Sequence, residues 1–503
     1  MISETSIRPA AWLPLLVLVT LPPSAIATQF VDDPTRPITA DPGPSLLVGR
    51  HLARMGLDRP EMGVLQRQDL SSVHVHQLGS TLATVSDWNG DCVADLAVAA
   101  TGIEGDVELQ YSNGKVRGRG SNARGFVWVI DARDGRVLRA WQGSQAFDRF
   151  GAAMCALDDL DADGAEELAI SSPDGADSRG LVEVFSSRDG RRLLVIQGER
   201  SGDEFGACLT QVPDLDGDGK QDLAIGAPRG RGHSENSGFV EICSTRFGSR
   251  LARMEGPLGK NRFGQSLDAS ADLTGDGVRD LAVGAPDHTP GVGLERAGLI
   301  AIFTLDGRST SVIEGRWLAQ GLGVAIGALE SGVEGKSCVE LIAVSAASEP
   351  DFRMTGVVQL LTAPTFALRR EFPSSRCYGT FDSEFGACLA LLGDLDGDSV
   401  PEFAVGAPEF GVWNASTGAV FIHGGGPAGD DQVRHGSVKR WDEHIGRYGV
   451  SIARLPDLDD DGIDDYAVGS PDQLFAPHST VEITSGREGA TLRVLYSTLL
   501  PLP

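Results

Sequence analysis

Six short segments of the chain place an oxygen-bearing side chain at positions 1, 3, 5 and 9 of a nine-residue loop. One of them, from Asp214 to Asp222, reads DLDGDGKQD. Alternate carboxylates in a tight loop can converge on one point, where they repel one another unless a cation neutralises them. Ca²⁺ takes about six to eight oxygen ligands, and the backbone carbonyl of position 7 can supply one of them. The pattern therefore predicts calcium sites.

The candidate ligands are the residues at those four positions of the six loops. They are Asp87, Asn89, Asp91 and Asp95; Asp159, Asp161, Asp163 and Glu167; Asp214, Asp216, Asp218 and Asp222; Asp272, Thr274, Asp276 and Asp280; Asp394, Asp396, Asp398 and Glu402; and Asp457, Asp459, Asp461 and Asp465. We expect up to six Ca²⁺ ions. The second, third and seventh repeats keep every acidic ligand and a glycine at position 6, so their sites should be the strongest. Thr274, and Cys92 and Ser399 at position 6, depart from the pattern.

Two other interpretations of the loops compete with calcium. Short Asp-Gly segments are good hairpin turns without any metal, but six copies with the fourth ligand in register argue against turns alone. Mg²⁺ is the weaker metal candidate, because it retains its waters and seldom uses cages built only of protein. The six loops hold 22 carboxylates in a chain of net charge −27, so six Ca²⁺ ions would cancel twelve negative charges.

The loops belong to a repeat. Their starting points, with a decayed copy at Gly332 to Glu340, are separated by 72, 55, 58, 60, 62 and 63 residues, which makes seven repeats. The decayed copy offers Gly332, Glu334 and Lys336 where ligands belong, so we expect the fifth repeat to bind no ion.

Each repeat contains a run of alternating, β-branched residues such as GFVWVIDA (125–132), and several end in a further strand such as RRLLVIQG (191–198). Four strands per repeat form one antiparallel sheet, and radial stacking of such sheets leaves only short edges. We therefore predict an all-β, seven-bladed β-propeller of four-stranded antiparallel blades over residues 66–499, with an insertion at about 103–124. A linear solenoid is the alternative, but it would need capping repeats.

The N-terminal residues predict export. Arg8, the apolar run 11–21 and Ala25-Ile26-Ala27 are typical of a signal peptide over 1–27, followed by a Pro-rich linker over 28–65. We expect a secreted or cell-envelope protein, periplasmic if bacterial. The acidity argues against nucleic acid and membrane insertion. The chain has seven cysteines, and Cys155, Cys208 and Cys388 follow aromatic-glycine pairs, which indicates small core residues rather than disulfide partners.

The combination of Phe205-Gly206, the DxDGDGxxD loop and Gly226-Ala-Pro228 resembles the FG-GAP repeat of the integrin α-subunit head. The resemblance covers nearly the whole chain after the predicted signal peptide. It implies a seven-bladed propeller with Ca²⁺ in loops on one face and ligand contacts on the opposite face. The chain lacks a sequence typical of a transmembrane helix, leg domains or an inserted ligand-binding domain, so we expect a free-standing secreted form.

These features predict a binding or adhesion module for an extracellular protein or glycan, with Ca²⁺ in a structural role. We expect no enzyme activity, since no unrepeated cluster of catalytic residues is evident. A polysaccharide lyase or hydrolase with its site in the propeller channel is the alternative, and a purely structural envelope protein is a third. His74 and His76 lack a third metal ligand, and Gly321-Leu-Gly323 lacks the setting of a nucleotide site.

Overall fold

The computed structural model of the chain describes residues 77–101, 107–111, 114–118, 124–145, 147–305, 308–333, 336–345, 356–373, 384–412, 415–416, 418–424, 432–435, 447–471, 479–496 and 500. The predicted signal peptide, the predicted linker and the histidines 74 and 76 lie outside these residues. Within them, no helix has the length and apolar character that crossing a bilayer requires.

The first four blades are antiparallel sheets of four strands that follow one another along the chain. Blade 1 contains β1 (Leu78–Val85), β2 (Asp95–Ala100), β5 (Phe126–Ile130) and β6 (Val137–Gln142), with a hairpin of β3 (Val107–Tyr111) and β4 (Gly114–Gly118) between its second and third strands. Blade 2 contains β7 (Met154–Leu157), β8 (Glu167–Ser172), β9 (Leu181–Phe185) and β10 (Arg192–Gln197), with the short helix α1 (Gly175–Ser178) before β9. Blade 3 contains β11 (Cys208–Val212), β12 (Asp222–Ala227), β13 (Phe239–Cys243) and β14 (Arg250–Glu255). Blade 4 contains β15 (Leu267–Asp268), β16 (Leu281–Ala285), β17 (Leu299–Phe303) and β18 (Ser309–Glu314).

The other three blades have the same order. Blade 5 contains β19 (Leu322–Val333), β20 (Lys336–Ser345), β21 (Val357–Thr362) and β22 (Ala367–Pro373). Blade 6 contains β23 (Leu389–Leu391), β24 (Glu402–Ala407), β27 (Ala419–Gly424) and β28 (Gln432–His435), with the two-residue strands β25 (Gly411–Val412) and β26 (Ala415–Ser416) beside it. Blade 7 contains β29 (Ser451–Leu455), β30 (Asp465–Ser470), β31 (Thr480–Thr484) and β32 (Thr491–Tyr496). The prediction of a seven-bladed β-propeller is confirmed.

Burial follows the position of a strand within its blade. The second strands β2, β8, β12 and β24 are buried at every residue, whereas the fourth strand β10 is exposed or half-buried at every residue except Ile196. A strand covered on both faces needs a continuous apolar run instead of an alternating one. The neighbouring blades supply this cover, because seven apolar clusters each join two adjacent blades.

The ring of blades closes without exchanging strands. The first strand of each blade contacts the first strand of the next, and β29 of blade 7 contacts β1 of blade 1. The cluster at this closure includes Leu78 and Trp128 of blade 1 together with Leu455 and Ile483 of blade 7. Closure therefore depends on the same apolar packing as every other junction.

At each junction the backbone of one blade contacts the backbone of the next. This contact explains why the Gly-Ala-Pro segment of one repeat and the aromatic-glycine pair of the next both contain a glycine. A Cβ atom added to Gly226 of blade 3 would lie 2.2 Å from the carbonyl oxygen of Gly264 in blade 4. At the closing junction, a Cβ on Gly469 would lie 2.0 Å from the carbonyl oxygen of Gly79. Real Cβ atoms cannot approach that closely, so only glycine allows blades to pack at this distance.

At several junctions, a small polar side chain of one blade also donates a hydrogen bond to a backbone carbonyl of the neighbouring blade. The Ser451 hydroxyl donates a hydrogen bond to the Gly79 carbonyl at 2.7 Å, and the Cys388 thiol donates to the Gly449 carbonyl at 3.2 Å. Cys155, Cys208 and Cys388 are free thiols, as expected from their separation in the repeat. Burial raises the pKa of the Cys388 thiol to about 12, so it remains protonated and able to donate.

Two local features were not anticipated in this form. The predicted insertion at 103–124 contains the hairpin β3–β4. In blade 5, β19 and β20 pair as far as Val333 opposite Lys336, so a long hairpin replaces the nine-residue loop. Gly321-Leu-Gly323 also has a structural role, since a Cβ on Gly284 of blade 4 would lie 2.1 Å from the Gly323 carbonyl oxygen.

We predict that Gly226→Ala destabilises the propeller by about 1–3 kcal/mol, because the added methyl group must displace the backbone of the next blade. Gly291→Ala is the matched control, since a Cβ there meets nothing within 4 Å and its backbone is not left-handed. The measurement is the apparent free energy of unfolding at fixed calcium concentration. Equal effects of the two substitutions would contradict the contact between the glycines.

Candidate metal centres

The aspartate at position 1 organises each acidic loop. In blade 3, Asp214 accepts hydrogen bonds from the backbone N–H groups of Gly217 at 2.7 Å and Gly219 at 2.9 Å. These bonds lower the pKa of the Asp214 carboxyl, chiefly through Gly219. The same pattern recurs from Asp457, which accepts from Gly462 at 2.7 Å. Position 1 is therefore held as a carboxylate while it fixes the turn.

The acidic residue at position 9 lies in a different environment, because it begins the fully buried second strand. One carboxylate oxygen accepts a hydrogen bond from the backbone N–H of position 2, as in Asp222 with Leu215 at 2.7 Å. Among the described residues, the other oxygen has no hydrogen-bond partner in four blades. These buried oxygens are Oδ1 of Asp95, Oε1 of Glu167, Oδ1 of Asp222 and Oε1 of Glu402. A buried carboxylate oxygen without a partner is costly, and a cation would satisfy it.

Burial also raises the pKa of the position 9 carboxyl groups. It raises the pKa of Glu167 to about 7, with the charges of Asp161 and Asp163 adding to the effect. The pKa of Asp222 rises to about 6 for the same reasons. A buried carboxyl group with a raised pKa is protonated at low pH. At neutral pH, a bound cation would stabilise its charged form.

The structure brings candidate ligands together in four blades. All four ligands of blade 2 place one oxygen each within 4.8 Å of one another. Three ligands do so in each of blades 3, 6 and 7, namely Asp214, Asp216 and Asp218; Asp394, Asp396 and Glu402; and Asp457, Asp459 and Asp465. Asp222, Asp398 and Asp461 are outside these groups, and Asp461 instead contacts Arg487 at 3.4 Å.

Blades 1 and 4 lack such a group among the described residues. Their third position holds Asn89 or Thr274 in place of an aspartate. The Asn89 amide donates to Asp131 at 3.0 Å, so its nitrogen is directed to the turn between the third and fourth strands. The Thr274 hydroxyl oxygen is buried without a hydrogen-bond partner, while the Thr274 backbone N–H donates to Asp280 at 2.7 Å. Asp87, Asp91, Asp272 and Asp276 remain in their loops without meeting as a group.

Blade 5 neutralises its buried acid in another way. Glu340 lies within β20 opposite Leu329, the same register that Asp222 has opposite Val212, and it is fully buried. The Arg369 guanidinium on β22 lies 2.6 Å from a Glu340 carboxylate oxygen. A side chain of the protein therefore supplies the positive charge in the blade whose loop has lost its ligands. The sequence alone does not predict the role of Arg369, because the repeat has no recurring feature that pairs a fourth-strand residue with position 9.

Several blades of the propeller are similar in sequence to known proteins. Residues 209–240, 263–303 and 389–423 match the FG-GAP repeat. Mouse integrin alpha-M is 38% identical over 164 residues, which are 29% of this chain and 14% of that protein. Integrin alpha-PS5 of Drosophila melanogaster is 31% identical over 179 residues, 33% of this chain and 18% of that protein. Chicken integrin alpha-V is 31% identical over 192 residues, 35% of this chain and 18% of that protein.

The fold and the loops define a β-propeller built from repeated sheets with an acidic loop between the first two strands. The chain is a β-propeller that contains FG-GAP repeats and is similar to integrin alpha subunits over about a third of its length, in agreement with the resemblance seen in its sequence. The alignments span less than a fifth of the length of the relatives named above.

We predict that Arg369→Met destabilises the protein by about 3–5 kcal/mol, because it leaves Glu340 buried without its partner. The double variant Arg369→Met/Glu340→Gln should regain most of this loss, since it removes the unpaired charge. Arg136→Met is the control, because the Arg136–Asp131 pair is 3.8 Å apart and its arginine is exposed. The free energies of unfolding of the three variants are measured by chemical denaturation in the presence of a chelator. A double variant no more stable than the single one would contradict the pairing.

We also predict that the metal-free protein loses stability as the pH rises from about 4.5 to 7. The pKa of Glu167 is raised from 4.5 to about 7 in the folded state, so the folded chain binds more protons than the unfolded chain across this range, and unfolding becomes easier as they dissociate. The variant Glu167→Gln should show a smaller pH dependence in chelator. An identical pH dependence in the variant would contradict the raised pKa.

Proposed function

We propose that this chain is a secreted ligand-binding or adhesion module whose blades are stabilised by structural Ca²⁺ ions. The observation that carries the metal assignment is in blade 2, where four carboxylates converge within 4.8 Å and the buried oxygen of Glu167 has no hydrogen-bond partner. Three to four carboxylates with additional backbone oxygens suit a hard cation that prefers a high coordination number. Calcium fits this donor set better than magnesium.

A structural role for the ion follows from its position in the blade. The loop joins the first strand, which borders the propeller axis, to the fully buried second strand. Position 1 holds the turn and position 9 begins the buried strand, so an ion between them would attach the turn to the core. Binding that requires the folded arrangement adds directly to folding stability.

A binding role is supported by the relatives and by the arrangement of the loops. The relatives are integrin alpha subunits, and the integrin resemblance implies ligand contacts on the face away from the Ca²⁺ loops. The acidic side chains of the repeats serve as candidate metal ligands, which favours a binding module over an enzyme. The extracellular location rests on the predicted signal peptide, and the ligand would be a protein or a glycan.

We expect excess Ca²⁺ to raise the melting temperature of the mature protein, and Mg²⁺ to raise it much less. Each site stabilises the fold by about 2.7 kcal/mol when the free ion is at 100 times its Kd. Asp161→Asn should reduce the calcium-dependent gain and lower the bound calcium, measured by elemental analysis, by one ion per chain. The same substitution strategy at Asp216 and Asp459 tests blades 3 and 7.

Glu235→Ala is the control, because Glu235 is an exposed acid on the connection between β12 and β13, away from the acidic loops. It should leave the calcium-dependent gain unchanged. A melting temperature that is the same in calcium and in chelator, with no calcium bound to the purified protein, would show that the loops are ordinary turns.

A further inference from the structure

A recess between blades 3 and 4 differs in charge from the rest of this acidic chain. It has a volume of about 440 Å³ and is lined by Pro228, Arg229, Asn236, Lys260, Arg262 and Asp287. Three of these six residues are cationic and one is acidic, in a chain whose net charge is −27. A cluster of cations against an acidic background focuses attraction on anionic groups.

The recess lies at the end of the blades opposite the acidic loops. Arg229 and Asn236 are on the connection from β12 to β13, and Lys260 and Arg262 are on the connection from β14 to blade 4. In an antiparallel sheet, successive connections alternate between the two ends. The acidic loop joins β11 to β12, so these two connections share the other end, and the recess is separate from the candidate metal centres.

The cations of the recess exceed the acids available to pair with them. Asp287 already contacts the Arg296 guanidinium at 3.1 Å, and Arg229 contacts Glu204 at 3.5 Å. Among the described residues, Lys260 and Arg262 have no carboxylate within 4.0 Å, and the Arg262 Nε is buried without a hydrogen-bond acceptor. The recess therefore presents two uncompensated cations, one of which has a buried donor.

The connections that line the recess also carry exposed aliphatic side chains. Leu258 lies two residues before Lys260 and is 76% exposed, and Val292, on the connection that contains Asp287, is fully exposed. Aliphatic groups beside a charged recess suit a protein surface, because they lose contact with water when a partner covers them. An anionic polysaccharide would gain little from them.

We propose that this recess binds a carboxylate side chain from an acidic, leucine-containing segment of an extracellular protein partner. Lys260 and Arg262 would receive the carboxylate, with the Asn236 amide as a further donor, and Leu258 and Val292 would cover the neighbouring apolar residues. The inference rests on the proposed binding role and assigns to it a place and a ligand chemistry.

The test uses a fluorescein-labelled peptide containing glutamates among leucines and serines, its glutamine counterpart, and an oligogalacturonate, all with the whole mature protein in excess calcium. We expect the glutamate peptide to bind, to bind more weakly as salt rises from about 50 to 300 mM, and to bind better than the other two. Arg262→Gln should weaken binding by roughly tenfold, the loss of one charge-assisted hydrogen bond. Lys260→Glu should weaken it further, because it also places a negative charge in the recess.

Arg246→Glu is the matched control for Lys260→Glu, since Arg246 is an exposed cation on the turn between β13 and β14, at the opposite end of blade 3. It should change binding less than twofold, a measurement made by fluorescence anisotropy. Absent binding, equal effects of Lys260→Glu and Arg246→Glu, or preferential binding of oligogalacturonate would each overturn the inference. The calcium-dependent melt of every variant is measured alongside, so that loss of the recess is distinguished from failure of the metal sites.

Discussion

A carboxylate buried in the second strand, or directly before it, is the constraint on which every blade depends. The residues at this position are Asp95, Glu167, Asp222, Asp280, Glu340, Glu402 and Asp465, and each is at most 4% exposed. The second strand has a neighbouring blade on both faces, so this side chain cannot turn to water. An ionised group in such a place is unstable unless it is paired. The Arg369 guanidinium compensates this charge in blade 5, and a cation held by the acidic loop would do so in the blades whose carboxylates converge.

The pairing of Arg369 with Glu340 explains why blade 5 has a plain hairpin in place of the acidic loop. Once the Arg369 guanidinium pairs with Glu340, the residues at positions 1, 3 and 5 are no longer needed near the acid. The connection can then close as a plain hairpin, with Val333 opposite Lys336. In the other blades the loop must remain open and acidic, because its aspartates would hold the cation that compensates the buried acid. Blade 5 thus meets the folding requirement without the ligands of an acidic loop.

The sequence was sufficient to predict the number of repeats, the four strands of each blade and the acidic loops. Each of these features depends on a pattern of residues that are close together in the chain. The structure added contacts between residues that are far apart. Arg369 reaches Glu340 across β21, and the Cys388 thiol donates to a carbonyl of the next blade. Cys388 was correctly expected to be a small residue, but its hydrogen bond to the Gly449 carbonyl of the next blade is visible only in the structure. The hairpin within the insertion likewise has no counterpart in the other repeats that could have indicated it.

The two ends of the blades carry opposite chemistry, and the repeat accounts for the difference. One end is occupied by the acidic loops of six blades, whose sequence is restricted by the buried carboxylate. The connections at the other end contribute glycines such as Gly264 to the junctions, but between these glycines they vary in length and residue type. Cations and exposed aliphatic residues can therefore accumulate there, as they do around Lys260 and Leu258, without disturbing the core. A propeller whose blades are constrained at one end can therefore vary its residues at the other end without loss of packing.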